Sequence, residues 1–147
     1  MNRSYDNLIK AVHTFCEEAE STPPTREVLR DSIDYLYEEM HEYSKGLRME
    51  DMAETIDGAG DVLFLAINML YKTFRYYGVD SEQSEVYTHE TLRRITEANM
   101  NKAQPDGKFR KVGRKVIKPA GWVAPQYNDM IESIINNDQD RDDVVYH

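Results

Sequence analysis

The stretch Thr25-Arg-Glu-Val-Leu29-Arg-Asp-Ser-Ile33-Asp-Tyr-Leu36-Tyr-Glu-Glu-Met40-His-Glu-Tyr43-Ser-Lys-Gly-Leu47 decides the fold. Leu29, Ile33, Leu36, Met40, Tyr43 and Leu47 recur at alternating steps of four and three, which draws one apolar seam along a helix of about five turns. Thr25 is placed to cap that helix, and Glu27 puts a negative charge in its first turn.

The same periodicity extends outward in both directions. Residues 4–20 read as a helix with Leu8, Ile9, Val12 and Phe15 on one stripe, stopped by Ser21-Thr-Pro-Pro24. A third helix is expected from about Met49 to Tyr77, carrying Met52, Ile56, Leu63, Ile67, Leu70 and Phe74 on one side, with Gly78 as its stop. Asp80 then caps a fourth, with Gln83 at the N3 position and Val86, Leu92 and Ile95 leading towards Asn99. Beyond Lys102 the prolines and glycines break the pattern, so a long loop is expected, with a short hairpin around Phe109–Val116. A short helix over Tyr127–Ile135 follows, and the last ten residues, with four Asp, are expected to fray. The fold class is all-α: an antiparallel bundle of four to five helices with a long basic loop near the C-terminus. Residues 1–137 read as one domain, the loop spans about 102–126, and 138–147 form an acidic tail.

Length and composition fit this. The chain has 147 residues, one domain's worth at roughly 100–200 residues each, and enough to bury a core without disulfide or metal staples. The longest apolar run, Val62 to Leu70, is interrupted by Asn68 and falls well short of a bilayer span. Asp6 and Lys10 break any apolar region after Met1, so no signal peptide is expected. Cys16 is the only cysteine, which suits a reducing, cytoplasmic setting.

The net charge of −9 argues against nucleic acid as a partner. It also hides an asymmetry. Lys102, Lys108, Arg110, Lys111, Arg114, Lys115 and Lys118 face one acid, Asp106, so this strip is +6 and the remainder −15. A cationic strip on an acidic chain points to a small anionic ligand held with an acidic site.

Two carboxylate clusters carry the chemistry. Glu38-Glu39-Met40-His41-Glu42 places Glu42 beside both Glu38 and Glu39 on one helix face. Asp57-Gly58-Ala59-Gly60-Asp61 places two Asp one turn apart, next to the most apolar stretch of the following helix. An EExxE run alone is also what a solvated helix face looks like. The Asp pair is less easily explained that way, because Asp is a weak helix former and its neighbours are apolar. Carboxylates converging between antiparallel helices cannot all stay ionised without a cation. A hard divalent ion resolves this, and magnesium accepts such oxygen ligands together with waters and a substrate phosphate. Gly58 and Gly60, each costly in a helix by about 1 kcal/mol, point to a close approach there. His13 and Cys16 have ligand spacing but no second pair, so they read as packing. Glu38-x-x-His41 is a single copy of a unit that di-iron bundles need twice. Trp122 could stack on a base, but it reads better as an anchor for its loop.

Taken together, these residues resemble the all-α nucleoside triphosphate pyrophosphohydrolases, the superfamily of MazG-like proteins, dimeric dUTPases and phosphoribosyl-ATP pyrophosphohydrolase. The similarity is strongest to short phage and bacterial proteins of the phosphoribosyl-ATP pyrophosphohydrolase-like kind. It rests on Pro23-Pro24 before the EExxE helix, Asp57-x-x-x-Asp61-Val-Leu-Phe64, Gly78-Val-Asp80, Asn99-Met-Asn-Lys102, Asp106-Gly-Lys108, Lys115-Val-Ile-Lys118-Pro119 and Pro125. The resemblance implies magnesium (or manganese) ligands at Glu39, Glu42 and Asp61. It makes Glu38 either a further ligand or the residue that orients the attacking water, and a carboxylate of the catalytic pair Glu38 and Glu39 would accept the water's proton. It assigns substrate contacts to Asn99, Lys102, Lys108, Lys115 and Lys118. The family's ExxD motif has Gly58 where its Glu belongs, and Asp57 is the expected substitute metal ligand. The implied reaction is hydrolysis of a nucleoside triphosphate to a monophosphate and pyrophosphate by a homodimer or homotetramer. The alternative is a non-catalytic nucleotide-binding or regulatory helical protein.

Overall fold

The computed structural model describes the backbone of residues 7–20 and 22–145, and the side chains of those up to 138. Residues 4–6 of the expected first helix, and Ser21 of its expected stop, lie outside these. In chain order the elements are α1 (Leu8–Ala19), α2 (Arg26–Arg48), α3 (Met52–Tyr76), α4 (Ser81–Met100), β1 (Lys111–Val112), β2 (Lys115–Val116) and α5 (Asn128–Val145). The all-α class is therefore as the sequence indicates, and the only ladder among the described residues, the antiparallel pairing of Lys111 with Val116 and Val112 with Lys115, lies within the expected hairpin. No described helix is long and apolar enough to cross a membrane. The chain divides into two units, up to Thr88 and from His89.

In the first unit the helices start where side chains satisfy free amides. Asn7, Thr25, Asp51 and Asp80 accept from the backbone N–H of Lys10, Val28, Glu54 and Gln83. The α2–α3 connection is a three-residue turn in which Asp51 N–H reaches Gly46 C=O and Glu50 N–H reaches Leu47 C=O. Glu50 takes the left-handed φ of 52° that this cap requires. Gly78, at φ 84°, ends α3 with the same pair of bonds, Val79 to Phe74 and Gly78 to Arg75.

Val12 and Cys16 of α1 pack on Ile67 and Tyr71 of α3, with Ile9 and Phe64 against them. A polar layer borders this core. Glu17 accepts from Tyr71 Oη at 2.7 Å, Thr22 Oγ1 at 2.8 Å and Arg75 Nε at 2.8 Å. Asn68 donates to Glu20 Oε1 at 3.1 Å, and the buried Lys72 ammonium stands 3.1 Å from Glu20 Oε2. His13 stacks on Tyr71 and pairs with Glu85 at 2.6 Å, and Cys16 is fully buried, its thiol pushed up to about 12 by burial first and Glu20 second. The packing role expected for both residues is the one they have.

The apolar seam departs from expectation. Ile33, Met40, Tyr43 and Leu47 of α2, and Met52, Ile56 and Leu63 of α3, are exposed. What α2 buries instead are Ser32 and Gly46. The two backbones approach too closely for large side chains between them, so the seam is displaced to one side of the pair. The expected stripe of α1 holds in part, with Val12 buried and Ile9 packed on the core but Leu8 and Phe15 exposed, and α4 departs, because Val86 and Ile95 are exposed while Ser84, Thr88, Thr91 and Ala98 are buried.

In the second unit, Arg94 organises the chain. It donates to both carboxylate oxygens of Asp129, to Gln126 C=O and to Glu90. That fork-shaped pairing fixes the start of α5 against the end of α4. α5 continues to Val145, so the acidic stretch expected to fray is helical, and the helix is longer than Tyr127–Ile135.

Candidate functional site

The acidic site is built on the close packing of α2 and α3. A Cβ on Gly46 would stand 2.7 Å from both the N and Oγ1 of Thr55, and one on Gly58 would stand 2.8 Å from Tyr43 N and 3.0 Å from its Cα. These two contacts set one antiparallel register, with the backbones within van der Waals touch at both levels. The site's expected Glu at position 58 has no room, which is the physical reason for the glycine there. Gly60 meets nothing within 4 Å, so the close approach expected of both glycines holds for Gly58 alone.

Continuing that register along the helices brings Asp61 level with Met40, beside Glu39. The electrostatics agree. Glu39 is held above the ordinary carboxyl range, first by its burial, then by the charges of Glu42 and Asp61, a hydrogen bond that its protonated form makes with Glu42, and the charge of Asp57. Its Oε2 is buried and has no hydrogen-bond partner among the described residues. Three of the expected site residues thus act on a fourth, with Glu39 innermost and Glu42, Asp57 and Asp61 solvent-exposed. Asp57, proposed by sequence as the substitute for Glu at 58, acts on Glu39 least of the three. Glu38 is exposed.

Helix geometry assigns sides. One residue along an α-helix turns by about 100°. Relative to the positions that face across, Glu38, Glu42, Asp57 and Asp61 fall on one side of the α2–α3 pair. Ile33, Met40, Leu47, Ile56 and Leu63 fall on the other. The hairpin has an acidic side and an apolar side.

The donors fit a hard divalent cation by type, being carboxylate oxygens around one orphaned, buried oxygen. They are not drawn into a closed cage: among the described residues no group of three or more His, Cys, Asp or Glu is arranged to hold an ion.

The basic loop lies in the second unit. The turn Pro119-Ala-Gly-Trp122 closes with Trp122 N–H to Pro119 C=O at 3.2 Å and uses Gly121 at φ 79°. Trp122 Nε1 donates to Ala98 C=O at 2.7 Å, so the indole anchors the loop on α4. Lys118 Nζ stands 4.5 Å and Lys102 Nζ 5.6 Å from its ring centre. Lys102 also donates to Asn99 Oδ1 at 2.7 Å. Two of the five expected substrate contacts, Lys102 and Lys118, therefore converge on one indole, and a third, Asn99, is joined to Lys102, a grouping the sequence showed only as the spacing of Asn99, Lys102, Lys118 and Trp122. No hydrogen bond, ion pair or ring contact among the described residues joins Lys108 or Lys115 side chains to this group; Lys115 lies on the exposed β2 strand. Arg110 is paired with Asp106 at 2.9 Å and is partly neutralised.

Comparison with known proteins finds no matching family model, no curated protein and no solved structure that resembles this chain.

Proposed function

We propose that this chain hydrolyses a nucleoside triphosphate, ribo or deoxy, to a nucleoside monophosphate and pyrophosphate, with magnesium as the required ion. The observation that carries this reading is Glu39, a carboxylate with a buried, unpartnered oxygen set among Glu42, Asp61 and Asp57. An arrangement that destabilises its own charge is kept where a cation is to be received.

Glu39, Glu42 and Asp61 would hold the ion, with Asp57 in a supporting place. When bound, magnesium supplies Lewis-acid polarisation of phosphate oxygens and lowers the pKa of water. Glu38, exposed and one residue before the ligand Glu39, accepts the proton of the attacking water. Water oxygen bonds to the α-phosphorus and the bond to the β-phosphate bridging oxygen breaks, releasing pyrophosphate. Lys102, joined to Asn99, and Lys118 are cations of the second unit whose chemistry suits phosphate oxygens. The reading places the chain in the cytoplasm, where such substrates are.

The apolar side of the α2–α3 pair supports a homo-oligomer, dimer or tetramer. Met52 at 76% and Ile56 at 66% exposure are costly in water, and a second copy of the same face would cover them. Sedimentation velocity tests this: wild type runs as an oligomer and Leu63→Lys shifts it to monomer.

The test of the reaction separates pyrophosphate from phosphate release over a panel of ribo- and deoxyribonucleoside triphosphates, with magnesium or EDTA. Magnesium-dependent pyrophosphate, lost in Glu39→Ala, supports the enzyme. Saturable nucleotide binding without turnover moves the reading to a regulatory nucleotide-binding protein, which the missing Glu at 58 favours.

A further inference from the structure

We propose that Trp122 is a positioning residue, which presets the Lys102 and Lys118 ammonium groups as a paired clamp for a polyphosphate anion. This rests on the phosphate-binding reading of the basic loop given above and adds to it a residue that reading does not use. Trp122 does not serve here as a platform for a base.

Three observations carry it. The indole is fixed from behind, by Nε1–H to Ala98 C=O at 2.7 Å and by the tight turn that begins at Pro119. Two ammonium groups then gather on the ring, Lys118 at 4.5 Å and Lys102 at 5.6 Å from its centre. Neither is ion-paired with a carboxylate among the described residues, although the chain carries 27 acids and only 18 lysines and arginines. Elsewhere in this unit Arg93, Arg94 and Arg110 have carboxylate partners, whereas Lys108, Lys111, Arg114 and Lys115, like Lys102 and Lys118, form no ion pair among the described residues.

Two like charges brought to one ring repel each other, and the electron-rich face of an indole offsets only part of that. A carboxylate beside them would neutralise the pair and block an anion. The aromatic ring attracts both ammoniums without competing for the ligand, and Asn99 Oδ1, at 2.7 Å from Lys102 Nζ, orients one of them. The chemistry such a pair accepts is a multiply charged anion with oxygens spaced along a chain. Long lysine side chains lose substantial rotamer freedom on binding, and holding them in advance reduces that cost.

The experiment uses the full chain, inorganic tripolyphosphate as probe, EDTA to remove divalent ions, and low salt. Trp122 is the only tryptophan, so its fluorescence reports the site directly in the wild type and in Lys118→Ala. Calorimetry follows Trp122→Leu and Trp122→Phe, and far-ultraviolet circular dichroism checks that each variant stays helical. Expected is a saturable fluorescence change in the wild type. Affinity should weaken at least tenfold in Lys118→Ala and Trp122→Leu, and stay within threefold of the wild type in Trp122→Phe, which keeps an aromatic face. A wild type without saturable binding overturns the proposal. So does a Trp122→Leu variant that binds like the wild type, or a Trp122→Phe variant as weak as Trp122→Leu, which would leave the indole as a structural anchor. Because no magnesium is present, absence of hydrolysis leaves this titration readable. Hydrolysis by the wild type alongside unaltered tripolyphosphate binding in Trp122→Leu overturns the positioning role alone.

Discussion

Gly58 of α3 lies against the backbone of Tyr43 of α2, so closely that a methyl group on Gly58 would stand 2.8 Å from the Tyr43 nitrogen. Backbone cannot yield as a flexible side chain can. Gly58→Ala should therefore lower stability by about 1–3 kcal/mol, the usual cost of overpacking. Gly60→Ala, in open space on the same helix, should raise it by roughly 0.5–1 kcal/mol through helix propensity. Urea unfolding of the two variants checks this, and shifts of the same sign would refute the register. Gly58→Glu, which rebuilds the ExxD motif in sequence, should be the least stable of the three.

Asp61 acts on Glu39 more strongly than Asp57 does. If the ion sits with Glu39, the two aspartates are unequal. Asp57→Asn should cost pyrophosphate release about 10–100-fold, as expected of a supporting partner, and Asp61→Asn should cost more. Steady-state rates at saturating magnesium decide the order.

Glu17 gives the chain an acid-sensitive joint. Burial pushes its carboxyl up, but hydrogen bonds from Tyr71, Thr22 and Arg75, with the Arg75 charge, outweigh that and hold it below its ordinary value of 4.5. A depressed folded-state value means the unfolded chain binds the proton more readily. Its stabilisation is present above the ordinary carboxyl range and is lost as pH falls through the folded-state value. Glu17→Gln should cost about 2 kcal/mol near neutrality, as for hydrogen bonds to a charged group. It should also flatten the loss of stability below pH 4.5. Denaturant midpoints measured from pH 7 down to pH 3 check both.

Glu50 closes the α2–α3 turn with a positive φ that glycine adopts more easily. Left-handed backbone costs a residue with a Cβ roughly 1–2 kcal/mol, less the extra entropy glycine loses on folding. Glu50→Gly should raise the unfolding free energy by about 0.5 kcal/mol, read as a small rise in the urea midpoint.

Much of this was legible in the sequence. Thr25, Asp80 and Gly78 announced their helix boundaries because capping is local chemistry. Glu39, Glu42, Asp57 and Asp61 could be gathered because helical spacing and an antiparallel turn suffice to do it. The displaced seam was not legible. Periodicity reports which residues share a side of a helix, not which side turns inward, and the small residues Ser32, Gly46 and Gly58 decided that. The convergence of Lys102 and Lys118 on Trp122 depends on a turn whose direction no period encodes.

The Tyr43–Gly58 and Gly46–Thr55 contacts also bear on how such a chain can change in length. A residue gained or lost between Glu39 and Gly46, or between Gly58 and Asp61, turns a carboxylate by about 100° away from its partners. Substitutions on the exposed stripe and insertions in the loop after Met100 carry no such penalty. The intervals of seven residues from Glu39 to Gly46 and three from Gly58 to Asp61 are thus the part of this protein least open to insertion or deletion. Distant kin are better sought by those intervals than by the letters between them.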